Sequence, residues 1–366
     1  MRHFLTLVAI LALTCSVVAQ NDCGTVTPPG YAETLVQRMA AVQTTRISGG
    51  LIIVPVHIHL LRESNGNSAL TLQDIQTELD SVNYYYANAG LIFIECIAAE
   101  MIDEDTMYDY ESSTDQALLL TNHFTPNVLN LYFANTVALN FTPVCGYAWF
   151  PGGPDACFIA GNCATNGSTL AHEIGHYMGL MHTHGGSPDE LVDGSNCSTE
   201  GDLICDTPAD PSLSGLVDTA CMYTGTAMDA NSMMYQPDVS NIMSYSRKVC
   251  RTTFTPLQYG VINYTYWNDR TYLQCISTGV DELQTIDVRV FPNPAQNELR
   301  VLFNAPGVNR RIEIYDATGR LVLLEQVADG VPSQIVDLSL LANGAYVCKV
   351  VDDSQVITAE RFVVAR

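Results

Sequence analysis

An unbroken apolar run rich in β-branched residues, Leu51 to Leu61, predicts a buried strand, and Leu91 to Ala98 and Val128 to Phe133 predict two more. Between the first two runs, Thr71-Leu72-Gln73-Asp74 opens a helix that continues to about Asn88 and stops at Gly90. Another helix is predicted over Ser168 to Leu180. Thr255 to Arg270 forms a further one, entered through Thr255-Pro256 with proline at the first helical position. Upstream, residues 21–48 are largely polar, contain Pro28-Pro29-Gly30, and lead into Arg46-Ile47-Ser48-Gly49-Gly50. That stretch reads as a pro-segment with a helix near 31–45 and a cleavable junction; an ordinary N-terminal arm is the alternative.

The pattern changes after Thr278. Residues 279–286 read as a linker, and 287–366 hold short alternating strands separated by the turn signals Pro292-Asn293-Pro294, Ala317-Thr318-Gly319 and Ala328-Asp329-Gly330. Strands near 287–291, 298–304, 311–315, 320–326, 334–338, 345–351 and 356–364 predict a small β-sandwich. The fold class expected is therefore an α/β (α+β) domain over 49–278 followed by an all-β sandwich.

Composition narrows the function classes. Of 366 residues 47% are hydrophobic, enough for a globular core. The net charge of −23 repels phosphate backbones, which argues against nucleic acid and anionic membranes as partners and favours hard cations. Met1-Arg2-His3 followed by the apolar stretch Phe4 to Ala19 reads as a signal peptide over residues 1–19, too short for a membrane span. No later segment is long and apolar enough to cross a bilayer as a helix. Of the 12 cysteines Cys15 would leave with the leader, and an exported chain should pair most of the others. An odd number remains, so one thiol is left over. Cys145, Cys157, Cys163, Cys197, Cys205, Cys221 and Cys250 all flank a histidine motif.

That motif, residues 172–182, reads His-Glu-Ile-Gly-His-Tyr-Met-Gly-Leu-Met-His. On a helix, His172 and His176 lie one turn apart on one face and reach one ion together. Glu173 beside them is placed to contact a metal-bound water. Gly179 ends the helix with positive φ, and the chain turns so that His182 supplies a third ligand. Three neutral imidazoles leave one zinc position open for catalysis. Zinc would acidify its water and polarise a scissile carbonyl, with Glu173 taking the proton and passing it to the leaving amine. His184 competes as a ligand, but the spacing favours His182. His57 and His59 alternate on a strand and read as structural. A closed structural zinc site is the competing reading, separated by whether the metal keeps a bound water.

The extended motif followed by Asn241-Ile242-Met243-Ser244-Tyr245 resembles the metzincin clan with its Met-turn. The resemblance implies that Met243 floors the zinc site and that the Tyr245 hydroxyl helps stabilise the tetrahedral intermediate. Gly201-Asp202-Leu203-Ile204-Cys205-Asp206-Thr207-Pro208, Cys250, Phe254-Thr255-Pro256-Leu257-Gln258 and Val54-Pro55-Val56-His57-Ile58-His59 narrow it to the pappalysins, over roughly residues 51–275. It implies a secreted zinc endopeptidase acting on proteins or peptides laid extended across a cleft. It also implies structural calcium held by Asp202, the Cys205 carbonyl and Thr207, with Glu190 as a further candidate, and a Cys221–Cys250 disulfide. Oxygen donors on a loop suit calcium, although an Asp-rich turn making its own hydrogen bonds is the plainer alternative. Cys23-Gly24-Thr25 resembles a pro-segment element of related bacterial enzymes in which the cysteine occupies the open zinc position as a latency switch. Cys23 would then be the odd thiol, leaving the rest to pair; a disulfide from Cys23 is the alternative.

Val290-Phe291-Pro292-Asn293-Pro294-Ala295, Ile314 to Arg320, Gly344-Ala345-Tyr346 and the terminal Arg361 to Arg366 resemble the sorting domain of the type IX secretion system. This implies the type IX secretion machinery as partner, and passage through the periplasm to the cell surface or exterior of a Gram-negative bacterium. An adhesive or carbohydrate-binding sandwich is the alternative for this region. For the whole chain the competing class is a secreted binding or adhesin protein with an inactive metalloprotease domain. Intact Glu173, His172, His176 and His182 weigh against it.

Overall fold

The computed structural model describes residues 23–42, 52–185, 189–275, 288–303, 309–352 and 355–366. The expected signal peptide (1–19), the junction at Arg46 to Gly50 and the linker (279–286) lie outside the described residues.

The centre of the first domain is β1 (Ile52–Arg62), almost wholly buried along its length. It pairs in parallel with β2 (Leu91–Glu95) through its first half, and with β3 (Glu100–Asp103) through its second. On its other side lie β5 (Leu129–Ala134) and then β9 (Ala156–Ala160), both parallel, and β8 (Gly146–Ala148), which is antiparallel. Helices on both faces explain the continuous apolar runs: a parallel strand here has no solvated side to mark with polar residues. Helix α2 (Leu72–Tyr86) starts with a capping box in which Thr71 Oγ1 accepts from the Asp74 N–H and Asp74 accepts from the Thr71 N–H. It ends in a short 3-10 turn closed by Gly90 at φ 73°. Helix α7 (Pro256–Asp269) is capped the same way by Thr255 and Gln258. The N-terminal helix α1 (Tyr31–Val42) packs on α7, with Arg38 bonded to Thr265 Oγ1 and paired to Asp269 at 2.7 Å.

Three helices and a second small sheet were not expected. They are α3 (Asp105–Tyr108), β4 (Asp109–Glu111), α4 (Ser112–Asn122), β6 (Thr136–Leu139), β7 (Thr142–Val144), and α5 (Gly161–Ala164). The strands are too short to show alternation. In α4 the apolar residues form the block Ala117-Leu118-Leu119-Leu120, so that Leu119 is buried while Leu118 is half exposed, and the helical period is hidden. The strand expected to reach Ala98 stops at Glu95. Helix α6 (Thr169–Tyr177) stops short of Leu180 because Gly179 turns at φ 89°.

All seven expected strands of the C-terminal region form. Strands β10 (Val288–Phe291), β11 (Glu298–Phe303) and β14 (Ser333–Asp337) make one antiparallel sheet. Strands β12 (Arg311–Asp316), β13 (Leu321–Gln326), β15 (Gly344–Asp352) and β16 (Gln355–Val364) make the other. Leu299 and Val301 from the first face Ile312, Ile314, Cys348 and Val350 from the second in a separate core.

The cysteines correct one expectation. Disulfides join Cys96–Cys275, Cys145–Cys163, Cys197–Cys205 and Cys221–Cys250. Cys23 is a free thiol, but so are Cys157 and Cys348, which were expected to pair. Each is buried in a different core, Cys157 in β9 and Cys348 in β15, so neither meets a partner and both pack as small apolar side chains.

One buried charge ties helices to sheet. The Asp155 carboxylate accepts from Arg270 at 2.7 Å, Tyr177 at 2.7 Å and Tyr272 at 2.8 Å, and Arg270 is 1% exposed. Removing one partner strands a buried ion. Asp155→Ala is expected to lower unfolding free energy by about 3 kcal/mol, read by urea denaturation; an unchanged midpoint would show that the cation relaxes to solvent.

Candidate active site

Helix α6 delivers the motif because all of its residues are buried, between the sheet and the loops beneath it. His172 Nδ1 lies 2.7 Å from the Ile242 carbonyl, and His176 Nδ1 lies 2.8 Å from the Leu180 carbonyl. A carbonyl only accepts, so each Nδ1 carries the proton and each Nε2 presents a lone pair. The turn at Gly179 brings His182 Nε2 to 3.0 Å from His176 Nε2. Burial and neighbouring imidazoles depress protonation of His172 and His182, and burial holds His176 down to about 4. Three lone pairs with suppressed protonation thus converge on one point, and buried His172 Nε2 has no hydrogen-bond partner. That donor set fits a zinc ion.

Cys23 completes the group. Among the described residues, Cys23, His172, His176 and His182 form one buried cluster whose donor atoms all lie within 4.8 Å of one another. Cys23 Sγ is 3.5 Å from both His176 Nε2 and Glu173 Oε2. Thr25, given no role from sequence, donates its hydroxyl to Glu173 Oε2 at 2.8 Å. Burial pushes the Glu173 carboxyl up to about 7, and its Oε1 has no partner. The segment carrying Cys23 and Thr25 runs along the free side of β8: Gly24 N donates to Gly146 O at 2.8 Å, and Ala148 N donates to Thr25 Oγ1 at 2.9 Å. No sequence signal marked β8, three residues long, as the edge of the site.

Met243 is fully buried beneath α6. A Cβ on Gly175 would come within 2.3 Å of Met243 Sδ, so the glycine inside the motif is what lets helix and turn meet. The Tyr245 ring lies 4.6 Å from that of His182 and 6.3 Å from that of His172. His184 stacks on His182 at 5.1 Å but stands outside the four-residue cluster. His57 and His59 are away from the site: His57 bonds Thr125 and Ala98, and His59 bonds Glu100 and Asn130.

The acidic loop forms a second polar pocket. Asp202 Oδ1 accepts from Ile204 N at 3.0 Å and from Thr207 Oγ1 at 2.7 Å, while Asp202 Oδ2 and Glu190 Oε2 are buried without hydrogen-bond partners. Burial and the neighbouring carboxylates raise both acids, Glu190 to about 7.

Residues 113–263 match the family model described as pregnancy-associated plasma protein-A, and residues 289–365 match that of the secretion system C-terminal sorting domain. The chain carries a pappalysin-type metalloprotease domain followed by a secretion sorting domain. It is similar to an extracellular metalloprotease of Arthroderma gypseum, 27% identical over 70% of this chain and 88% of that protein. One from Pyricularia oryzae is 28% identical over 60% of this chain and 76% of that protein. Among solved structures, a point mutant of Tannerella forsythia promirolysin aligns over 69% of this chain and 97% of its own, at 18% identity and a TM-score of 0.47. The pappalysin domain and the sorting domain together mark a secreted metalloendopeptidase, and no helix among the described residues is long and apolar enough to cross a membrane.

Proposed function

We propose that this pappalysin-type domain hydrolyses peptide bonds at a zinc ion held by His172, His176 and His182, with Glu173 as general base. The observation that carries the reading is the convergence of three imidazoles beside the buried Glu173 carboxyl. A bound zinc supplies Lewis-acid polarisation of the carbonyl and a more acidic water. Glu173, next to His172 in the chain and within the same buried group, takes the proton of the attacking water and returns it to the leaving amine. Tyr245 stands beside the imidazoles where its hydroxyl stabilises the developing oxyanion, and Met243 supports the helix from below. The edge of β8 offers backbone groups on which an extended substrate adds as a strand.

Residues 20–48 act in this reading as a pro-segment, 49–278 as the protease domain, 279–286 as a linker and 287–366 as the cargo signal for type IX export. Latency would have two arms. Cys23 would take the open metal position and Thr25 would engage the base, so that one short strand would block both reactive groups. Calcium at Asp202, Cys205 and Thr207, with Glu190, would satisfy the two orphaned carboxylate oxygens and hold the loop after the third histidine.

Glu173→Ala is expected to bind zinc as the parent does and to lose cleavage of an unfolded protein substrate by at least about 1000-fold. If the variant still cleaves, or if the processed parent binds zinc and cuts nothing, the general-base assignment fails. An unprocessed Cys23→Ala precursor is expected to show activity that the parent precursor lacks; full latency of that variant would remove the switch. Calcium is expected to raise the melting temperature of the parent and not that of Asp202→Ala, and equal shifts in both would place the stabilising ion elsewhere.

A further inference from the structure

Side chains alternate between the two faces of a strand, so an outward-facing residue that is nonetheless buried must be covered by another part of the molecule. Strand β2 lies at the edge of the protease sheet, hydrogen-bonded to β1. Its Leu91 and Phe93 enter the main core, while Ile92 and Ile94 point to the opposite face. Ile53, the partner of Ile92 on β1, is 40% exposed on that face, yet Ile92 is 1% exposed. The cover comes from the C-terminal sandwich: Ile92, Ile94, Phe291 and Leu302 form one apolar cluster.

The same alternation places Phe291 and Leu302 on the outside of the sorting domain. Val288 and Val290 of β10, and Leu299, Val301 and Phe303 of β11, pack into the sandwich core. Arg289, Phe291, Arg300 and Leu302 therefore share the other face, with Arg289 opposite Leu302 and Phe291 opposite Arg300. Phe291 is 2% and Leu302 4% exposed, a burial that the sandwich core does not provide. The Arg289 guanidinium lies close enough to Asp80 of α2 for its charge to act on that carboxyl. Beside the apolar cluster, Tyr84, Tyr85 and Tyr259 of the protease domain face Phe291, Glu298 and Arg300 across a cleft. An apolar centre inside a polar rim is the anatomy of a protein–protein interface.

The path of the chain supports the contact. Cys275 is joined to Cys96, one residue beyond β2, so the tether to the sandwich starts beside the covered face. A short tether raises the effective concentration of one domain at the other to about millimolar. We propose that the sorting domain docks on its own protease domain through the outward face of β10 and β11, and that this interface holds the two together after the linker is cut. Severing the linker then does not by itself release the sorting domain; the interface has to be opened as well. The inference is independent of the catalytic chemistry.

The test uses the full chain carrying Glu173→Ala, which suppresses self-digestion, with the recognition site of an unrelated protease placed within 279–286. After complete cutting, checked by denaturing electrophoresis, the two fragments are run together on a sizing column. Loaded at about 10 μM, tenfold above a Kd of about 1 μM, they are expected to elute as one species at the volume of the uncut chain. In Leu302→Glu they are expected to elute apart, because a carboxylate then sits at the apolar centre of the contact. Leu302 faces away from the sandwich core, and circular dichroism of the freed fragment checks that it stays folded. Should that variant fail to fold, Arg289→Glu takes its place: it is expected to weaken association at least about tenfold, and Asp80→Arg added to it to restore co-elution. Separate elution of the cut parent would overturn the proposal. So would co-elution of folded Leu302→Glu, or an Arg289→Glu chain that elutes as the parent does or is not restored by Asp80→Arg.

Discussion

Everything at the site depends on holding three imidazole lone pairs at one point inside a buried volume. Neutral imidazoles packed this closely need their other nitrogens satisfied, and the carbonyls of Ile242 and Leu180 do that for His172 and His176. Those two carbonyls belong to the turn that follows α6 and to the segment before Met243. The helix must therefore end early, at Tyr177, for Leu180 to curl back, and the segment carrying Ile242 must lie directly against the helix. Gly179 permits the first with its positive φ, and Gly175 permits the second by leaving room for Met243. A Cβ at Gly175 would press on Met243, and one at Gly179 on the hydroxyls of Tyr31 and Thr265.

Between α6 and the 3-10 turn at Lys248 the described residues contain no helix and no strand beyond isolated bridges. Such a segment has few backbone hydrogen bonds of its own and must be ordered by other means. Disulfides Cys197–Cys205 and Cys221–Cys250 cross-link it. Asp carboxylates tie down its turns: Asp218 accepts from the N–H groups of Ala220 and Met222, and Asp229 from those of Asn231 and Met233. Much of the negative charge here is thus structural, and the Asp202–Glu190 pair is the part of it with carboxylate oxygens left without donors.

The free edge of β8 is where the N-terminal segment meets the imidazole cluster. Its N–H and C=O groups are engaged by Gly24 and Thr25, which also bring Thr25 onto Glu173 and Cys23 into the imidazole cluster. A short segment of this kind needs little surface, because pairing along the strand edge supplies its orientation. Helix α1 anchors it, with the Tyr31 hydroxyl donating to the carbonyl of Gly179 at the end of the catalytic helix.

Much of this protein is written locally and was legible in the chain itself. The ligand spacing of His172, His176 and His182, the capping boxes at Thr71 and Thr255, the glycine stop at Gly90 and the seven alternating strands after Val288 are all short-range patterns. Each is set by the backbone geometry of one turn or one strand, so neighbouring residues suffice to specify it. What tertiary structure alone decided involves residues far apart in the chain. The meeting of Cys23 and Thr25 with Glu173, the edge role of a three-residue strand, the pairing of Cys145 with Cys163 while Cys157 stays free, and the reach of Lys248 to Cys145 all depend on how segments pack. A cysteine's neighbours or a lysine's target are properties of the folded surface around it, and no local pattern encodes them.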